Sequence, residues 1–298
     1  MRYVPVISLL LFLSVLPCIA EVEVEVRNLY EWSAVAPVVV AGTSLGEDGK
    51  HFDFKVVECL RGDLQPGDEL RIDVRTANRS RDRTLFPKAL RLDDGVDFVL
   101  LLDEVKGRKP KDSVLYGLER GLAGARELPL EGRDAFLDAL RTFIRIQSAD
   151  GEELRWHLMS QELEGNNPLV LGTALDLYIK FRRGEGEMVL GLVPLLDHPR
   201  TEVRAESAQL IGLIIDRHWE SGTIPEDEEL RAELVARATR DEAIEVRVAA
   251  IKALANFPPE LVDEVLDRIA ESDPEQQVRY TAELIRLEHR RAANGRKK

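Results

Sequence analysis

The chain has 298 residues, enough for two domains, and its apolar fraction of 44% can supply a core to each. Against 54 acidic residues it sets 41 basic ones, and the resulting net charge of -13 repels phosphate backbones, which argues against broad nucleic-acid binding. Of its two cysteines, Cys18 lies in the N-terminal leader, so no intramolecular disulfide can staple the remainder.

The first element is that leader. Residues 1–20, MRYVPVISLLLFLSVLPCIA, set Arg2 before an apolar run and small residues before Glu21, the layout of a secretory signal peptide. Cleavage after Ala20 starts the mature chain at Glu21 and sends it to the periplasm or outside the cell. Pro5, Pro17 and the short apolar length argue against a stable membrane span. The alternative is a membrane anchor through an uncleaved N-terminus or a lipidated Cys18.

Residues 21–130 read with a period of two. NLYEWSAVA is one short helix. PVVVAGTSL and HFDFKVVECL flank the Gly-rich turn GEDGK; DELRIDVR follows QPGD, GVDFVLLLDEV follows LDDG, and SVLYGLERG closes the set. Short strands with turn signals between them predict a small antiparallel sandwich or barrel. Arg75 to Leu92 reads as a long basic loop carrying the sequon Asn78-Arg79-Ser80, and Cys59 as a small apolar strand residue.

Residues 131–291 switch to a period of 3.6. RDAFLDALRTFIRI and GEELRWHLMSQEL are two helices, and repeats follow. Val170, Val203, Val246 and Val278 stand 33, 43 and 32 residues apart, each opening an amphipathic pattern. In the third copy Val246, Ala249, Ala250, Ala253, Leu254 and Phe257 form a single stripe. The fourth residue after each anchor is small (Ala174, Ser207, Ala250, Ala282), which lets a neighbouring helix come close. MVLGLVPLLD, DEELRAELVARATRD and PPELVDEVLDRIAESD are the helices that precede the last three anchors. Thr223, Pro225 and the acids 226–229 suit a helix start. DRHWESGTIPED is an insert that lengthens one spacing, the last helix has a polar outer face, and 292–298 is a disordered basic tail.

Asp197, Asp241 and Asp273 precede three of the anchors, and Arg204, Arg247 and Arg279 follow them directly. An Asp at the inter-helix turn followed by Val-Arg resembles the HEAT repeat over roughly Glu152 to Arg291. The resemblance implies an α-solenoid of helix pairs, with these six residues forming a ladder between successive repeats and a concave face that binds protein or peptide. The copy at Leu169-Val170 lacks both the Asp and the Arg. The barrel is similar to the OB-like domain of exported bacterial proteins and, distantly, to the tissue inhibitors of metalloproteinases. The features that carry this are Gly42 in the first strand, Leu60-Arg61-Gly62 at the end of the second, and Gly95 before an apolar strand. The inhibitors act through an N-terminal cysteine; here the mature start is Glu21-Val22-Glu23, so the resemblance implies the fold alone.

No catalytic constellation accompanies these elements. His51, His157, His198, His218 and His289 show no metal-ligand spacing, and no phosphate loop, nucleophile elbow, dinucleotide fingerprint or Cys-x-x-Cys occurs. Trp32, Trp156 and Trp219 read as packing residues, with Trp219 the one to expect at the surface. The sequence therefore predicts an α+β, multidomain, exported, non-enzymatic scaffold without catalytic, cofactor or metal residues, built as a β-barrel followed by a HEAT-like solenoid that binds a protein or peptide partner. The alternative is an inhibitor or sensor of an extracellular enzyme acting through the barrel. A pigment lyase, the enzymatic role of some HEAT-like proteins, conflicts with export.

Overall fold

The computed structural model describes residues 29–47, 51–73, 94–104, 115–118, 124–218 and 228–295. The expected leader and mature start, the 75–92 segment with its sequon, Trp219, the helix start expected at Thr223–Pro225 and residues 296–298 lie outside the described residues.

The N-terminal half holds α1 (Leu29–Ser33), β1 (Val38–Glu47), β2 (His51–Arg61), β3 (Glu69–Asp73), β4 (Asp97–Glu104), β5 (Leu115–Leu118) and β6 (Ala125–Glu127). β1 pairs with both β2 and β4, which closes the order β1-β2-β3-β5-β4 into a five-stranded barrel of the OB kind. β6, a strand the sequence reading did not separate, adds to β4. One pairing corrects the expectation of a wholly antiparallel barrel: β3 and β5 run parallel. β4 lies between them in the chain and forms the antiparallel pair with β5, so β5 reaches β3 in the same direction.

Alternation is clean in β2, where Phe52, Phe54 and Val56 are buried and Asp53, Lys55 and Val57 are exposed. β1 and β4 are instead buried on both faces. Val40, Phe98, Leu100 and Leu102 fill the barrel interior, while Val39, Ala41, Val99 and Leu101 pack outward against helices. That two-sided burial is why PVVVA and FVLLL read as continuous apolar runs. At Gly42 a side chain would collide with the Lys55 carbonyl of β2.

α2 (Arg133–Gln147) joins the halves. Phe136, Leu137, Leu140 and Phe143 share one core with α1 and the outer face of β1 and β4. A polar lock reinforces it. Arg61 donates to the carbonyls of Ser33 (2.7 Å) and Ala36 (3.0 Å) and to Gln147, and Gln147 donates to the Tyr30 carbonyl (2.6 Å) and Ser33 Oγ (3.1 Å). The Arg61-Gly62 step that closes β2 therefore ties barrel to helix, with Gly62 at φ 109° making the turn.

Four helix pairs follow: α3 (Glu152–Gln161) with α4 (Pro168–Lys180), α5 (Met188–Leu192) with α6 (Thr201–His218), α7 (Glu228–Arg240) with α8 (Ile244–Leu254), and α9 (Pro259–Ser272) with α10 (Gln276–Gly295). α5 is shorter than its apolar pattern and passes into a 3-10 turn at Val193–Asp197, because Pro194 lacks the donor that would continue the ladder. Asn167 caps α4 by accepting from the N–H groups of Leu169 and Val170, and it donates to the Ala135 carbonyl of α2 at 2.8 Å. α10 runs to Gly295, so residues 292–295, expected in a disordered tail, lie in the helix. Its outer face is also not polar: Tyr280, Leu284 and Leu287 are exposed.

The second helices α4, α6, α8 and α10 pack on one another along the array and form its inner layer. The small residues Ala174, Ser207, Ala250 and Ala282 are all fully buried in it. Closest approach falls at Gly212 of α6, where an added Cβ would stand 2.9 Å from the Cα of Ala253 in α8. Replacing Gly212 with Val is expected to destabilise the fold by about 2 kcal/mol or more through overpacking. Urea denaturation followed by circular dichroism checks this, and an unchanged midpoint would mean that α6 and α8 do not meet there.

Candidate functional site

Between successive repeats lie two buried ion pairs. Arg204, at the start of α6, uses Nε and Nη2 to grip both oxygens of Asp241, in the turn before α8, at 2.9 Å each. Its Nη1 donates to the carbonyls of His198 and Pro199 in its own turn. Arg247 repeats the arrangement one pair later: Nε and Nη2 reach Asp273 at 3.1 and 3.3 Å, and Nη1 donates to the carbonyls of Asp241 and Glu242. Asp241 and Asp273 also accept from the N–H groups of Ala243 and Glu275, which start the next helices. Burial works against ionisation of Asp241, but hydrogen bonds from Arg204 and Ala243 with the charges of Arg204 and Arg237 hold its carboxyl below the ordinary aspartate range.

The other two expected members fall outside this pattern. Asp197 has no arginine behind it, since Leu171 occupies that place in α4, and its exposed carboxylate pairs with Arg237 of α7 at 2.8 Å. Arg279 donates through Nη1 to the carbonyls of Asp273 and Pro274, at 2.6 and 2.8 Å, and among the described residues no carboxylate meets its remaining edge.

The inner layer also carries a groove. A hollow of about 910 Å³ opens where α4 and α6 face the barrel side, with Glu31, Arg126, Phe136, Thr173, Asp176 and Glu206 on its walls. A second hollow of about 580 Å³ continues between α6 and α8, past Gln209, Lys252 and Asn256, and Glu206 borders both. Glu202 and Glu206 stand one turn apart on α6, a spacing visible in the sequence that the repeat analysis passed over. Asp176 comes from α4 and joins them only through stacking, which no sequence signal announces.

Burial, then the charges of Asp176 and Glu202, push the Glu206 carboxyl up to about 7, against the opposing charge of Arg200. The basic side chains nearby are partly committed. Lys180 pairs with Glu31 at 2.6 Å, and Arg200 lies 3.7 Å from Glu202. Arg126 stands 5.5 Å over the Phe136 ring, in a cation–π contact. The groove is thus an open, mainly acidic surface with apolar side chains among its walls.

The remaining candidates have local roles. His198 Nδ1 accepts from the Arg200 N–H within its turn, and His289 Nδ1 meets Asp263 at 2.7 Å. Trp32 is buried, and Trp156 packs at 5.0 Å on Tyr178. Cys59 donates to the Arg61 carbonyl, and burial raises its pKa. No helix among the described residues is long and apolar enough to cross a membrane.

Removing one partner of the buried pair strands a charge. Asp241→Ala is expected to cost about 3–5 kcal/mol, and the double change Arg204→Met with Asp241→Leu much less. Equilibrium urea unfolding separates the two cases, and equal losses would show that the charges carry no mutual dependence. Glu206 makes a pH-dependent contribution of the other sign. The folded protein keeps its proton where the unfolded chain has lost it, so stability declines as pH rises from the ordinary glutamate value through about 7. Glu206→Gln is therefore expected to stabilise the fold by about 2 kcal/mol at pH 8 and to lose that advantage near pH 4. Thermal melts across that range test it; a constant difference would contradict the raised pKa.

No curated protein and no solved structure matches the chain. The family model of HEAT repeats matches residues 189–285, from α5 through the first half of α10, the same span that holds both buried Arg–Asp pairs. With stacked helix pairs on either side of the matched span and a closed barrel before them, the chain is a barrel followed by a HEAT-like solenoid, similar to HEAT repeats over residues 189–285.

Proposed function

We propose that the chain is an exported, non-enzymatic protein-binding scaffold whose working surface is the inner groove of the solenoid. HEAT repeats are in general scaffolds for protein interaction, because stacking leaves an extended concave surface that no single repeat owns. The observation that carries the reading is the succession of two hollows along α4, α6 and α8, the first beside the barrel, with Glu206 on the border of both. Their dimensions suit an extended segment or a helix of a partner, and their acids favour a segment bearing lysine or arginine. The barrel forms one wall of the first hollow through Arg126 and Glu127, and the Arg61–Gln147 lock holds that wall in place. Export is part of the proposal and rests on the leader alone.

Affinity capture tests it, with residues 21–298 as bait in the exported fraction, beside the same chain carrying Asp176→Lys, Glu202→Lys and Glu206→Lys. The native groove is expected to retain partners that the charge-reversed groove loses. Identical partners for both would place binding elsewhere and refute the groove as the surface.

A further inference from the structure

The three inner helices that begin with the Val-Arg step present matched positions to the next repeat. Ala205, Ala208 and Gly212 of α6 correspond to Val248, Ile251 and Ala255 of α8, and these to Tyr280, Glu283 and Leu287 of α10. At the two internal junctions the middle position is fully buried and apolar, Ala208 and Ile251. On α10 it is an exposed glutamate, flanked by a tyrosine and a leucine where α6 carries alanine and glycine. Another repeat stacked in the same way would bury the Glu283 charge without a partner and would meet side chains too large for the close approach seen at Gly212. Yet the face is not that of a solvated cap. Tyr280 is 64% exposed and Leu284 and Leu287 are each 41% exposed, at the four- and three-residue spacing of a helix-pairing seam.

Charge completes the description of this face. The unpaired edge of the Arg279 guanidinium and the Glu283 carboxylate lie one turn apart on the same flank, and the structure joins neither to a group of opposite charge. A surface with an apolar seam, and with an arginine lacking a carboxylate and a carboxylate lacking a cation among the described residues, is complementary to itself. We propose that this face binds a second copy of the chain, with the two α10 helices antiparallel about a two-fold axis near Thr281. Such an axis sets Arg279 of each copy against Glu283 of the other, giving two charge pairs, and lays Leu284 and Leu287 over the first turn of the opposing α10. The contact leaves the inner groove of each copy free and places the two grooves on one assembly, which raises the effective concentration for a partner with two binding segments.

Sedimentation equilibrium of residues 21–298 at 0.15 M salt tests the contact, with circular dichroism confirming that each variant is folded. The native chain is expected to show a concentration-dependent monomer–dimer equilibrium. Arg279→Glu and Glu283→Arg are each expected to weaken dimerisation about tenfold or more, and the combined swap to restore most of the loss. Leu284→Glu is expected to leave only monomer. A monomeric native chain up to about 100 μM, or a dimer indifferent to all of these changes, would overturn the proposal.

Discussion

An amphipathic helix pair has more apolar surface than it can bury by itself, and this constraint shapes the C-terminal half of the protein. Each pair hides its stripe only by lying against the next, so the inner helices α4, α6, α8 and α10 form one continuous layer. Apolar burial has no direction and tolerates sliding. The buried Arg204–Asp241 and Arg247–Asp273 pairs supply the direction, because a guanidinium gripping two carboxylate oxygens accepts only one registration of the neighbouring turn. Each arginine also satisfies carbonyls of its own turn, and each aspartate the first N–H groups of the following helix. Local helix termination and long-range stacking are therefore a single network, costly to break at any point.

The barrel is continuous with this arrangement. Its β1 and β4 bury their outer faces under α1 and α2, and α2 in turn packs against α4. A barrel strand, a connecting helix and the first repeat thus share a core, and the Arg61–Gln147 contacts close the joint with hydrogen bonds. The consequence for function is a fixed wall beside the solenoid, so that the acidic groove has one side made of strands and two made of helices.

Much of this was legible in the amino-acid order. Anchor valines at repeat spacing, small residues four places on, and the Asp and Val-Arg steps follow from periodicity and chemistry within single segments, and the structure buries Val170, Val203, Val246 and Val278 alike. What escaped depends on proximity between segments. The pattern of acids alone could not show that Asp197 turns to Arg237, that Arg61 reaches Gln147, or that Asp176 meets Glu206 across two helices. The exposed seam of α10 was misread for a related reason: Tyr280, Leu284 and Leu287 continue an apolar helix pattern and become conspicuous only when nothing among the described residues covers them. β1 and β4 illustrate the opposite case, where continuous apolar runs in the sequence are the imprint of helices on the barrel's outer face.

The inner layer is the surface proposed to meet partners. Hydrogen exchange read by mass spectrometry, on the chain alone and bound to a captured partner, addresses this directly. It requires added protection along α4, α6 and α8 around Asp176, Glu206 and Lys252, with the solvent-facing strand β2 unchanged. Protection confined to the barrel strands, with the inner helices exchanging as in the free chain, would contradict it.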